Sequence, residues 1–175
     1  MKTSLINFVL FQLGWLACVI SAAKQQPLIG AVIASLIIVL HVWRAKVPGS
    51  EVKLIGLAVL IGLAWDSVLV WQGVLVYSTG MWLPFLAPYW IIMMWALFAT
   101  TLNVSLRWLK GKFLYAVTFG AIGGPLAYYA GQRLGAVEFS ETYLALGALF
   151  VGWAVFTPLL MVLSERFDGY IQARA

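Results

Sequence analysis

Charge is what this sequence most lacks. Only 10% of its 175 residues are Asp, Glu, Lys or Arg, where a soluble domain carries about 25%. A water-soluble fold of this size has too little interior to hide the apolar remainder. Cysteine is nearly absent: Cys18 stands alone in an apolar run, which excludes a disulfide framework and a cysteine-based zinc site. A single histidine, His41, leaves no converging ligand set for a metal. No cofactor is expected. The segment Gly120-Ala121-Ile122-Gly123-Gly124-Pro125 is glycine-rich but lacks a following Lys-Ser/Thr, so it is not a phosphate loop. Repeats are missing too. Trp65 and Trp153 share Gly/Ala/Trp surroundings over only a few residues, so an inverted-repeat transporter has no support in the pattern.

What is abundant is apolar sequence, 63% of the chain, with a mean hydropathy of +0.97. It falls into six runs, near 4–23, 27–43, 52–76, 84–106, 113–131 and 142–163. Each approaches the roughly 20 residues that cross a bilayer. The expectation is one all-α domain over residues 1–175, a polytopic membrane protein built as a bundle of about six transmembrane helices. The breaks carry turn chemistry. Lys24-Gln25-Gln26-Pro27 places proline at a helix start. Pro48-Gly49-Ser50 reads as a turn with Ser50 as cap.

Six crossings gather Lys2, Arg44, Lys46, Lys53, Arg107, Lys110, Lys112, Arg166 and Arg174 on one side, and leave Lys24 and Arg133 on the other. This nine-to-two split predicts cytoplasmic N- and C-termini, because basic loops are retained inside. The net charge of +5 therefore reads as topology, with membrane lipids and not nucleic acid as the partner. Ser21-Ala22-Ala23 could pass as a signal-cleavage site. The preceding run is as long as a membrane span, so a retained helix is expected.

Few polar groups lie inside the runs, and they carry whatever chemistry there is. Asp66 lies 13 residues beyond Lys53, about 20 Å along a helix, near the middle of the bilayer. A carboxyl there costs several kcal/mol unless paired, solvated or protonated. It is either a titrating site or a hydrogen-bonded tie between helices. No intramembrane Lys or Arg pairs with it; Gln12, Gln72, Asn7, Asn103, Tyr128 and Tyr129 are the neutral candidates. Trp43, Trp82 and Trp108 fall at interfaces, where tryptophan prefers to sit. Trp15, Trp65, Trp95 and Trp153 fall near the middle of four helices. They are ordinary bulky packing or the lining of a shared pocket. Gly120 and Gly124, and Ala127 and Gly131, have the spacing that lets helices approach closely. The candidate ligand-binding residues are Asp66, Gln12, Trp15, Trp65, Trp95, Trp153, Asn103 and Tyr128.

The chain resembles a bacterial inner-membrane family known only as domain-of-unknown-function family 2878. The likeness lies in Asn7 with Phe11-Gln12-Leu13-Gly14-Trp15, the Trp65-Asp66 pair, Pro88-Tyr89-Trp90, and Gly124-Pro125 followed by Tyr128 and Gly131. It implies a multi-helix inner-membrane protein with no established activity, and tilts the expectation toward lipid metabolism and partner proteins of that kind. Three readings follow: an intramembrane pocket that binds, or helps modify, a lipid or other apolar molecule; a small proton- or cation-coupled transporter using Asp66; and a scaffold or assembly subunit. The sequence specifies no reaction.

Overall fold

The computed structural model describes residues 2–171. Six α-helices dominate: α1 (Lys2–Ala23), α2 (Pro27–Arg44), α3 (Pro48–Trp71), α4 (Tyr89–Leu102), α5 (Phe113–Arg133) and α6 (Thr142–Arg166). A 3-10 turn, Arg107–Leu109, precedes α5. Two short strands, β1 (Leu75–Val76) and β2 (Glu138–Phe139), pair antiparallel. The fold is an all-α polytopic membrane bundle. Among the described residues, five helices are long and apolar enough to cross a membrane.

Consecutive helices run antiparallel, so their ends collect on two faces. One face joins Asn7 to Ser105, His41 to Tyr170, and Lys110 to Asp168; this is the terminal face. The opposite face joins Gln25 to Ser78 and carries the β1–β2 pair. Gly111, at φ +69°, takes a backbone conformation that costs other residues a steric penalty, and so closes the tight basic connection into α5.

Two boundaries differ from the sequence reading. The start of α3 is Pro48, with Val47 as the flanking residue and no side-chain cap; Ser50 lies inside the first turn. Proline suits that first position because its missing N–H has no helical partner to lose. The fourth run, expected over 84–106, is helical only from Tyr89 to Leu102, about 21 Å long. Upstream, Pro84 and Pro88 remove backbone donors, and Ala87 N–H is met by the Ser67 hydroxyl instead. Downstream, the Thr100 and Thr101 hydroxyls donate to Leu97 and Phe98 carbonyls. Asn103 then turns its side chain into the protein. Non-helical backbone at membrane depth is tolerated where protein covers it.

Packing divides the bundle. The close pairs are α5 with α6, α1 with α2 and α4, α4 with α2, and α3 with α4. Thus α1–α4 form one block and α5–α6 a hairpin beside it. Indole rings joined to glycines tie the bundle together. Trp95 of α4 covers Gly62 of α3, Trp65 of α3 covers Gly152 of α6, and Trp153 of α6 covers Gly124 of α5. A Cβ at any of these glycines would overlap the ring.

Candidate functional site: an aromatic cleft and the acid behind it

The helices α1 and α5 are not a closely packed pair. Between them lies a cleft of about 400 Å³, whose back wall comes from α4 and α6. One face of α1 contributes Phe8, Phe11, Gln12, Trp15 and Val19; one face of α5 contributes Phe119, Gly120, Gly123, Ala127 and Tyr128. Trp95 and Trp153 stack at the back, 4.7 Å between centroids and 11° apart. None of the residues lining the cleft is Asp, Glu, Lys, Arg or His. The space above Gly123 is open: an added Cβ would meet only Phe119, at 4.0 Å.

The two ends of the cleft differ. Toward the terminal face, Phe8 and Phe119 are 47% and 38% exposed. Toward the opposite face, Tyr77 and Val137 are 6% and 4% exposed and close it. The cleft is a slot with one blind end.

Asp66 is fully buried one layer behind the wall. Its carboxyl accepts from Trp95 Nε1 at 2.6 Å and from the Tyr128 hydroxyl at 2.6 Å. Both donors line the cleft; Asp66 does not. Its place on α3 is five residues before the helix ends, about 7.5 Å, toward the face opposite the termini. The carboxyl holds two aromatic side chains in fixed rotamers, because a buried N–H or O–H without its acceptor is costly. Other polar atoms on wall residues go without: Tyr77 Oη, Trp153 Nε1 and Thr157 Oγ1 are covered and have no partner among the described residues.

The structure thus brings Asp66, Trp95, Trp153, Tyr128, Gln12 and Trp15 to one locality, with Gln12 exposed at the cleft wall. Two expected residues lie elsewhere. Trp65 packs on Gly152 and edge-on to Phe156, 5.2 Å between centroids, and does not line the cleft. Asn103 belongs to a separate buried network at the terminal face. It donates to Glu51 Oε1 at 2.7 Å and to the Phe167 carbonyl at 3.0 Å, and accepts from Lys110 at 2.6 Å.

Glu51 is the centre of that network, and sequence reasoning missed it. It is fully buried. It pairs with His41 Nε2 at 2.7 Å and accepts from Gly169 N–H at 2.8 Å. The sequence held a signal: one histidine and one acid flank the Pro48-Gly49 turn, so an antiparallel helix pair brings them opposite each other. Outward from Glu51, Asp168 accepts from Lys110 at 2.6 Å and from Arg107 at 2.9 Å. Burial would raise the Asp168 carboxyl, but hydrogen bonds from Lys110, the Tyr170 backbone and Arg107 outweigh it and hold it below its usual range. Burial lowers the Lys110 ammonium despite Asp168 beside it. Burial, then the nearby Glu51 charge, push the Tyr170 hydroxyl up to about 12. The network is saturated with its own partners and fastens the segment after α6 to the ends of α2, α3 and α4.

No curated protein and no solved structure matches the chain. A family model matches residues 4–159, and the chain belongs to that family, described as "Protein of unknown function (DUF2878)".

Proposed function

We propose that this protein binds a lipid or another apolar molecule in the cleft between α1 and α5. The observation that carries the reading is a slot of about 400 Å³, within the usual range of about 300–1,000 Å³ for ligand sites, walled by aromatic rings and glycine and free of charge. Phe8, Leu126 and Phe119 at its sides are exposed on the bundle surface, where the solvent is hydrocarbon. The blind end at Tyr77 and Val137 favours binding over passage through the bundle. In this reading Asp66 is a positioning residue: it fixes Trp95 and Tyr128 in the wall. The split of basic residues supports placing the terminal face in the cytoplasm, and the protein in a bacterial inner membrane.

Gly123→Leu starts its side chain in the open space, where a Cβ touches only Phe119 at 4.0 Å, whereas Gly147→Leu adds equal bulk on the exposed face of α6, where a Cβ has nothing within 4 Å. Mass spectrometry of gently extracted protein should detect an apolar molecule in wild type and Gly147→Leu, and lose it in Gly123→Leu. Equal recovery from all three would overturn the reading.

A further inference from the structure

The walls of the cleft restrict what enters it, and the rim at its open end says what stays outside. The slot follows α5 from Phe119 to Gly131 and α1 from Phe8 to Val19, about 16–18 Å along the membrane normal. The slot starts about 9 Å inside the terminal ends of α1 and α5 and straddles the middle of the roughly 30 Å core, so an extended chain entering from the terminal side lies along it with its methyl end past the midplane. The wall offers a few neutral polar atoms but no charged side chain, so a charged headgroup is costly inside it and is better accommodated at the surface. At the open end, Phe119 meets Trp108 edge-on, with 6.4 Å between centroids. Lys112 lies over the Trp108 ring at 5.8 Å from its centroid. Both Lys112 and Trp108 are exposed on the terminal face, and Lys112 forms no ion pair among the described residues. An aromatic path therefore leads from the apolar slot to a cation at the surface.

We infer that the cleft seats one acyl chain of a phospholipid from the terminal-side leaflet, with the lipid phosphate at Lys112 and Trp108 on the rim. This rests on the binding role proposed above and names its ligand class. The bilayer supplies such chains at the mouth without an aqueous step. Phosphate beside a lysine at the membrane surface is favourable, and tryptophan is at home at that depth.

The test uses the full chain in nanodiscs of phosphatidylcholine and phosphatidylglycerol, doped with phosphatidylglycerol carrying a diazirine near the methyl end of one chain. Irradiation should label peptides containing Gly123, Ala127 or Trp153. Gly123→Leu should reduce that labelling to background while sparing Leu144 and Val151 on the exposed side of α6. Lys112→Gln should reduce labelling in the cleft about five-fold, the value of one lysine near the membrane surface, with the far-ultraviolet spectrum unchanged. Labelling confined to Leu144 and Val151 overturns the inference. So does labelling in the cleft that is equal for a diazirine diacylglycerol and indifferent to Lys112→Gln. Should another apolar molecule copurify and vanish in Gly123→Leu, the binding role stands and the phospholipid assignment fails.

Discussion

Two buried acids divide the chemistry of this molecule. Asp66 accepts two hydrogen bonds from neutral aromatic donors, so substitutions should separate shape from charge. In Asp66→Asn the remaining oxygen can take the Trp95 N–H, while the Tyr128 hydroxyl rotates to accept from the new amide. That variant should keep most of its thermal stability in detergent. Asp66→Leu strands both donors at about 1–3 kcal/mol each, and its unfolding midpoint should drop sharply. A midpoint equal to that of Asp66→Asn would show that these hydrogen bonds hold nothing. Glu51 is different, because its partners include His41 and a backbone N–H. Glu51→Leu leaves the Asn103 amide and the Gly169 N–H without this acceptor in a buried site and should cost about 1–3 kcal/mol for each donor stranded. Limited proteolysis should then release the segment after α6, which Glu51 and Asn103 hold in place.

At the scale of elements, glycine positions record which helix faces touch. Gly62, Gly124 and Gly152 each lie under an indole ring, whereas Gly56 and Gly147 have nothing within 4 Å. Alanine at Gly62 or Gly124 should therefore displace Trp95 or Trp153 and cost about 1–3 kcal/mol by overpacking. Alanine at Gly56 or Gly147 should be neutral or stabilising by up to about 1 kcal/mol, since it only stiffens a helix. Denaturation of the four variants in one detergent checks the contrast. The spacing of Gly120 and Gly124 pointed to a close approach, and the partner is α6: a Cβ at Gly120 would meet the Trp153 carbonyl and Thr157. That α5 pairs with α6 was not legible, because both faces of a membrane helix are apolar and the pattern does not say which one turns inward.

The whole molecule is held at its terminal face by the cluster of Arg107, Lys110 and Asp168, and this predicts its response to acid. The Asp168 carboxyl titrates lower in the folded protein than its ordinary value, so the folded state binds its proton less readily than the unfolded chain. The cluster's stabilisation is present above the unfolded carboxylate pKa of about 3.9 and disappears as pH falls through the lower folded value. Unfolding midpoints should be level above about pH 5 and fall below about pH 4. Asp168→Asn should start lower at neutral pH and fall less steeply in acid. An identical acid slope in both proteins would assign the effect to other carboxylates. Orientation is tested by a reporter fused to the C-terminus, which is expected to be active only as a cytoplasmic fusion.

The sequence by itself determined the solvent of this protein and the number of its helices. Apolar run length and the polar breaks between runs are local quantities, and six helices follow from them. It also marked Asp66 and the inner tryptophans as the residues to explain, because a buried carboxyl or indole N–H is costly wherever it falls. Only the tertiary structure decided that α1 and α5 stand apart, that Trp65 turns away from the cleft while Trp95 and Trp153 stack at its back, and that Asp66 stands behind the wall instead of in it. Those outcomes depend on how each helix is rotated about its axis. In a chain that is apolar on every side, rotation is set by the fit of rings to glycines on partner helices, which no single helix contains.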